Sequence, residues 1–167
     1  VLFRSDVDTG GGIKKARPFL DDNEPFLVHN ADILSDINLA ELYRHHRESN
    51  AEATLLVSQR QTSRYLLLDD ANRLHGWINK STGETKPEGF SFQERQYKEM
   101  AFGGIHVISP SLFRYMESRQ WEGKFSIIPF YLSVCETACI QGYPLQDRRW
   151  FDIGKPETLA KAEEYYR

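Results

Sequence analysis

The order of three predicted elements near the amino end constrains the fold of this chain more than any other feature. Residues 25–29 form an almost continuous apolar run, which is typical of a strand buried on both faces of a parallel sheet. Apolar residues recur at helical spacing over residues 39–46, with Asp36 or Asn38 as the candidate cap, and residues 53–57 are the next apolar run. Strand, helix and strand in this order predict a right-handed parallel crossover and the α/β class.

The middle of the sequence predicts further strands in an antiparallel or mixed arrangement. Residues 65–68, 74–78 and 101–108 are short apolar runs, and residues 69–72 (Asp-Asp-Ala-Asn) are typical of a turn between the first two. Residues 79–99 are polar and rich in Ser, Thr, Gly, Pro and charge. We therefore interpret them as a long surface loop or lid.

Helices are predicted again in the last third of the chain, at residues 111–117 and 126–137, followed by a short strand at residues 150–154. Pro156 suits the first turn of a final helix. The predicted stripe along one side of that helix consists of Leu159, Ala162, Glu163 and Tyr166. The chain has no internal repeat and no low-complexity linker, so we expect its 167 residues to belong to one domain.

Composition argues against several classes of function. The net charge is −3 with interspersed signs, so no basic stripe favours nucleic acid as a partner. No apolar run approaches the ~20 residues of a spanning helix and no signal-peptide pattern is present, so we expect a cytoplasmic protein without a membrane partner. Cys135 and Cys139 lie on one face of a predicted helix, and we expect buried, reduced thiols rather than zinc ligands. Nothing in the sequence indicates an oligomeric state.

Two aspartates are the strongest candidates for chemistry. Asp32 follows the first apolar strand closely, and Asp152 occupies a similar place after Trp150 and Phe151. In open α/β sheets, ligands bind outside the carboxyl ends of the strands, and Mg²⁺ prefers a few carboxylates together with phosphate oxygens. The sequence therefore predicts a magnesium site. The alternative is that each aspartate only closes a turn through nearby backbone amides.

A second candidate is the glycine-rich segment Thr9-Gly10-Gly11-Gly12 before Ile13. Glycines allow a ligand to approach the main chain, and the amino terminus of a helix attracts anions. The spacing matches neither a P-loop nor the dinucleotide-binding fingerprint, so a plain helix start is the alternative. We expect Pro18 to end this helix early, because the residue before a proline avoids the helical region.

Lys80, at the end of a predicted strand, is a candidate phosphate ligand, with an ordinary exposed lysine as the alternative. The five histidines show no metal-ligand spacing, and no serine lies in a Gly-x-Ser-x-Gly elbow. Catalysis by a Ser/His/Asp triad is therefore not predicted.

Four segments together resemble the sugar-1-phosphate nucleotidyltransferases, also called nucleotide-sugar pyrophosphorylases. They are Asp8-Thr9-Gly10-Gly11-Gly12-Ile13-Lys14-Lys15-Ala16, Pro25-Phe26-Leu27-Val28-His29-Asn30-Ala31-Asp32, Phe102-Gly103-Gly104-Ile105-His106-Val107 and Trp150-Phe151-Asp152-Ile153-Gly154-Lys155-Pro156. The chain is most similar to short bacterial guanylyl- and uridylyltransferases of this family. The resemblance implies a Rossmann-like mixed, mainly parallel sheet flanked by helices, of the nucleotide-diphospho-sugar transferase type.

The same resemblance implies roles for individual residues. Asp32 and Asp152 would be catalytic and would bind Mg²⁺, and Lys80 would contact the sugar phosphate. Nucleotide binding is implied for Thr9, Gly10, Gly11, Gly12 and Asn30. Sugar binding is implied for Gly103, Gly104 and Tyr65. The substrates implied are a nucleoside triphosphate, GTP or UTP, and a sugar 1-phosphate.

The sequence also departs from the family pattern. Asn79-Lys80-Ser81 stands where members often have Glu-Lys-Pro, and the opening strand and triphosphate loop are absent. We interpret residues 1–6 as a non-native scar and residues 7–167 as the carboxy-terminal two-thirds of one domain, truncated at its amino terminus and inactive alone. The alternatives are a metal-dependent glycosyltransferase and a non-catalytic fragment that binds sugar nucleotides.

Overall fold

The chain contains both helices and strands, and β-strands dominate its middle. The computed structural model describes residues 7–92, 96–146, 149–154 and 156–165. Its α-helices are α1 (Asp8–Leu20), α2 (Leu39–Glu48), α3 (Ile127–Val134) and α4 (Pro156–Tyr165), with 3-10 helices at Pro110–Glu117 and Arg119–Trp121. Its strands are β1 (Phe26–His29), β2 (Ile33–Ser35), β3 (Ala53–Ser58), β4 (Arg64–Leu68), β5 (Leu74–Asn79), β6 (Glu84–Lys86), β7 (Lys98–Ile108), β8 (Ile140–Pro144) and β9 (Trp150–Asp152).

The long strand β7 organises the main sheet, whose order is β6-β5-β4-β7-β3-β8. One edge of β7 pairs with β4 through residues 98–100 and with β1 through residues 105–108, while β3 pairs with the other edge. These ladders are antiparallel, and β3 with β8 is the parallel ladder among the described residues. The predicted mixed α/β fold is confirmed. The expectation of a mainly parallel sheet is wrong for this part of the chain.

The difference from the predicted crossover has a topological reason. Both β1 and β3 run antiparallel to β7, so they point in the same direction, as the strand-helix-strand order predicts. They are not neighbours, because β7 lies between them. Local patterning therefore identifies the direction of these strands but not the later strand that separates them.

Helices cover both faces of this sheet. Helices α1 and α3 share one core with the sheet, including Ile13, Leu55 and Phe130. Helix α2 covers the other face through Leu42, which clusters with Leu56. Successive residues of β3 thus enter opposite cores, as expected for a strand buried on both faces. Among the described residues, no helix combines the length and the apolarity needed to cross a membrane.

Helix α1 differs from its prediction. It continues through Pro18 to Leu20, and Gly10, Gly11 and Gly12 are buried within it instead of forming a loop. Proline costs an interior helix one backbone hydrogen bond. Here the proline falls in the final turn, and tertiary packing holds the helix: the amide of Gly11 donates to the carbonyl of Phe125 at 3.2 Å.

Several local predictions are confirmed. Asn38 caps α2 by accepting a hydrogen bond from the Glu41 amide at 3.1 Å. The turn at residues 69–72 closes through a 3.0 Å bond from the Asn72 amide to the Asp69 carbonyl. The predicted loop at residues 79–99 is confirmed only in part, because it contains the short strand β6 and the start of β7. The predicted helix at residues 111–117 is a 3-10 helix.

The cysteines do not share a helix face, because α3 ends at Val134 and Cys139 lies beyond the following turn, directly before β8. Both are free thiols; Cys135 is buried, which raises its pKa, and Cys139 is half-buried. In α4, Ala162 is buried but Leu159 is 41% exposed, so the predicted stripe packs only in part. Residues 1–6, Lys155 and Tyr166, which entered sequence predictions, lie outside the described residues.

Two buried histidines make the stability of the fold depend on pH. His46 on α2 hydrogen-bonds with Thr54 Oγ1 at 2.8 Å and Ser109 Oγ at 2.9 Å. His106 on β7 hydrogen-bonds with the Tyr131 hydroxyl at 2.6 Å. Burial lowers the pKa of His46 to about 4 and the pKa of His106 to about 3. Both side chains are therefore neutral in the folded protein at neutral pH.

We expect the free energy of unfolding to fall as the pH decreases below about 6.5, the ordinary histidine pKa. The unfolded chain then binds protons at these histidines while the folded chain does not. Between pH 6.5 and 4, each should remove up to about 1.4 kcal/mol of stability per pH unit. Urea denaturation at pH 7, 6 and 5 measures this. In His46→Gln the stability should fall about half as steeply over this range, and a slope equal to that of the wild type would refute the explanation.

Candidate active site

The ladder between β2 and β9 brings the two candidate aspartates together. Asp152, the last residue of β9, is paired with Ile33, which directly follows Asp32. The amide of Ile153 donates to the backbone carbonyl of Asp32 at 2.8 Å. Two residues far apart in the sequence are therefore neighbours because a short antiparallel ladder joins their segments.

The carboxyl groups of Asp32 and Asp152 also point into the same region. A methyl group placed on Gly154 would lie 3.2 Å from Asp152 Oδ1 and 3.3 Å from Asp32 Oδ2. The two oxygens are thus separated by no more than about twice that distance. Asp32 is exposed and Asp152 is half-buried, so both are accessible to a ligand.

This carboxylate pair fits part of a hard-cation site. Oxygen ligands suit Mg²⁺, which usually keeps several waters and binds one or two carboxylates together with substrate phosphates. Among the described residues, no group of three or more His, Cys, Asp and Glu side chains could hold a metal ion. Ligand oxygens and water would therefore have to supply the remaining coordination positions.

Three successive backbone carbonyls of β7 accept hydrogen bonds from residues around the carboxylate pair. Phe102 O accepts a hydrogen bond from Arg60 Nη2 at 3.1 Å, and Gly103 O accepts one from Trp150 Nε1 at 2.8 Å. The carbonyl of Gly104 accepts one from the Asn30 amide at 2.9 Å. This stretch lies between the residues of β7 that pair with β4 and those that pair with β1.

Gly103 and Gly104 both pack closely against other residues of the protein. A Cβ on Gly103 would lie 3.0 Å from the side chain of Leu56, and one on Gly104 would lie 2.8 Å from Ile33 and 3.1 Å from Asn30. Gly104 also has φ +73°, which side chains rarely adopt. Protein atoms therefore fill the space beside the α-carbons of both glycines. Their contact with a sugar stays a prediction.

Arg60 is a site residue that sequence reasoning missed. Its guanidinium lies 4.4 Å from the ring centroid of Trp150, and Asp152 and Tyr65 are close enough to favour its charged form. Desolvation lowers the pKa of Arg60 and outweighs the opposite effect of Asp152 and Tyr65, although part of the Arg60 side chain is exposed. An arginine still remains protonated at neutral pH. The sequence holds no local signal for this position, because Trp150 approaches it only in the fold.

A cleft of about 480 Å³ extends from Arg60 across the sheet. Two cross-strand rows form its floor. One row consists of Arg64, Asn79 and Glu84, and the other of Leu66, Trp77 and Lys86. Phe102 of β7 and Leu132 of α3 add apolar walls. The volume falls within the range typical of small-molecule sites, roughly 300–1,000 Å³.

The structure does not bring Lys80 to the carboxylate pair. Its ammonium lies 2.5 Å from Glu99 Oε1 and 5.3 Å from the Phe92 ring centroid. Glu99 is near the beginning of β7, and about 16 Å of extended strand separates it from Gly104. Tyr65 lies closer, since its hydroxyl accepts a hydrogen bond from the Thr62 amide at 3.1 Å and influences Arg60. Phosphate binding by Lys80 and sugar binding by Tyr65 stay predictions.

The predicted nucleotide-binding residues fall into two places. Asn30 lies beside the carboxylate pair through its bond to Gly104. Gly10 and Gly11 pack against the segment 123–125, where added Cβ atoms would lie 2.4 Å from the Phe125 ring and 2.3 Å from the Gly123 carbonyl. Gly12 is buried in the same helix, and the amide of Thr9 donates to its neighbour Asp8 at 2.6 Å. Base contacts by these residues stay predictions.

The fold and the pair together define a mixed α/β protein with two accessible carboxylates at the β2–β9 ladder. The chain belongs to the nucleotidyl transferase family, whose model matches residues 3–167. This membership confirms the resemblance found in the sequence.

Individual relatives agree with this family. The chain is 26% identical over 158 residues to a mannose-1-phosphate guanylyltransferase catalytic subunit beta of Danio rerio, covering 92% of this chain and 39% of that protein. It superposes with a TM-score of 0.70 on HddC from Yersinia pseudotuberculosis complexed with GMP-PN, at 18% identity, covering 100% of this chain and 66% of that one. A UDP-glucose pyrophosphorylase complexed with UDP-glucose has a TM-score of 0.73, at 15% identity and 99% and 64% coverage. The chain spans less than half the length of the curated relatives it matches.

We expect Gly104→Ala to destabilise the protein more than Gly83→Ala. Both glycines have φ +73°, so both substitutions carry the same backbone strain, about 1–3 kcal/mol. The methyl group of an alanine at position 104 would also clash with Ile33 and Asn30. The methyl group of an alanine at position 83 would have no atom within 4 Å. Urea denaturation of both variants measures the difference. Equal losses of stability would show that the close packing of Gly104 contributes nothing.

Proposed function

We propose that the protein carrying this chain transfers a nucleotidyl group from a nucleoside triphosphate to a sugar 1-phosphate, giving a nucleotide-sugar and pyrophosphate. The observation that carries the proposal is the convergence of Asp32 Oδ2 and Asp152 Oδ1 on one point beside Gly154. Family membership supplies the reaction class, and the accessible acidic pair supplies a place for it.

The reaction needs positioning and neutralisation of charge more than proton transfer. An oxygen of the sugar phosphate attacks the α-phosphorus, a new phosphorus–oxygen bond forms, and pyrophosphate leaves with the electrons of the bond that breaks. A phosphate monoester has its second pKa near ~6, so the nucleophile is already ionised at neutral pH. This agrees with a site that offers carboxylates and cations and needs no general base.

Asp32 and Asp152 would hold Mg²⁺, which would reduce the repulsion between the two phosphates and stabilise charge in the transition state. Arg60, beside Asp152 and held by Trp150 and Phe102, is placed to orient the incoming phosphate. In our proposal this fixed guanidinium takes the role that sequence analysis gave to Lys80. Its planar fork suits two phosphate oxygens at once.

The donor in this proposal is GTP or UTP. The curated relatives named mannose-1-phosphate guanylyltransferase support GTP as the donor. A UDP-glucose pyrophosphorylase, whose TM-score is similar to that of HddC, supports UTP. Competition between the two nucleotides in the pyrophosphate assay would identify the base.

We expect Asp32→Asn and Asp152→Asn each to lower turnover on the order of 10²-fold or more, because each removes a charge that offsets phosphate repulsion. Stability should change little for Asp32→Asn, since its side chain is exposed. Pyrophosphate release from a nucleoside triphosphate and a sugar phosphate, assayed with the full-length protein, measures the effect.

Asp70→Asn is the matched control, because Asp70 is also an exposed aspartate but lies in the turn between β4 and β5. It should retain wild-type turnover. Near-normal activity of Asp32→Asn would remove this residue from the metal site. Absence of pyrophosphate from the wild type with every sugar phosphate would instead favour the non-catalytic alternative.

A further inference from the structure

The cleft beside the carboxylate pair contains more positive charge than a sugar 1-phosphate with one phosphate group requires. Arg60, Arg64 and Lys86 line it, and Glu84 is its single lining carboxylate among the described residues. Arg60 lies at the end near Asp152, where the reacting phosphate would bind. The other two cations lie further across the sheet.

Lys86 is already compensated within the cleft. Its ammonium lies 3.2 Å from Glu84 Oε1 and 5.3 Å from the ring centroid of Trp77. Because the pair is partly exposed, it contributes little to stability but cancels most of the local charge of Lys86.

Arg64 has no such partner. Its side chain lines the cleft, and among the residues that the structure describes no carboxylate lies within salt-bridge distance of it. The Asn79 side chain, directly opposite on β5, already accepts a hydrogen bond from the Ser81 amide at 3.0 Å. Arg64 therefore presents a charged fork beside a neutral amide, facing a space that can hold a sugar.

Resting on the proposed function, we infer that the sugar substrate carries a second anionic group, away from its anomeric phosphate, and that Arg64 binds this group. The anomeric phosphate lies at Arg60, and the ring spans the apolar floor made by Leu66 and Trp77. The second group is a carboxylate or a phosphate, because both match the guanidinium fork. Arg64 is thus a specificity residue and takes no part in the bond that forms.

Three sugar phosphates that differ only at carbon 6 test this inference. Glucose 1-phosphate is neutral there, glucuronic acid 1-phosphate carries a carboxylate, and glucose 1,6-bisphosphate carries a second phosphate. With the full-length protein, at least one charged sugar should have a kcat/KM about 10- to 100-fold above that of glucose 1-phosphate, the range expected for a charge-assisted hydrogen bond. Which of the two is preferred identifies the group.

Arg64→Gln should abolish this preference, mainly through a higher KM for the charged sugar, and should lower kcat/KM far less for glucose 1-phosphate than for the charged sugar. Arg64→Lys keeps the charge but loses the fork, so its preference should be intermediate. Arg44→Gln is the matched control, because Arg44 is an exposed arginine on α2 outside the cleft. It should behave as the wild type.

Two results would overturn the inference while leaving the proposed function intact. One is equal kcat/KM for all three sugars, and the other is an equal loss for all three in Arg64→Gln, which would place Arg64 at the shared phosphate or in a structural role. Without turnover, the proposed function fails, and calorimetric binding of the same sugars still decides the inference. Equal affinities for the neutral and charged sugars would then refute it.

Discussion

The constraint on which the site depends is the irregular middle of β7. Between the residues that pair with β4 and those that pair with β1, the carbonyls of Phe102 and Gly103 accept hydrogen bonds from the side chains of Arg60 and Trp150, and the carbonyl of Gly104 accepts one from the Asn30 amide, one step beyond the β1 ladder. Backbone carbonyls must find donors when buried, so this stretch ties residues from three distant segments to one place. The left-handed conformation of Gly104 lets β7 pass so close to β2 that a side chain there would clash.

Local features of the fold were predictable from the sequence and distant pairings were not. The cap at Asn38 and the turn that starts at Asp69 depend on neighbouring residues, and both are confirmed. The position of β7 between β1 and β3 depends on a segment that comes much later in the chain. Helix α1 differs from its prediction for the same reason: contacts with Phe125 override the local preferences of glycine and proline.

The candidate site shows the same division. Asp32 and Asp152 were identifiable because each follows a short apolar strand, and such positions in α/β sheets face ligands. Arg60 carries no local signal, since what distinguishes it is the Trp150 ring and the nearby Asp152 carboxylate. The two glycines of β7 were recognised from a motif, but the motif did not show whether the missing side chains make room for a ligand or for the protein. The contacts of Gly104 show the second.

The candidate site has a cluster of positive charge next to the acidic pair, although the net charge of the chain is −3. Arg60 lines the same cleft as Arg64 and is also close to Asp152, and a hydrogen bond to the Phe102 carbonyl of β7 holds its guanidinium. Without Arg60, the negative Asp152 would repel a phosphate entering from the cleft, because like charges at short distance are poorly screened when partly desolvated. With it, a ligand meets positive charge first and the acidic pair next. That order suits a polyanion whose last neutralising partner is a cation held by carboxylates.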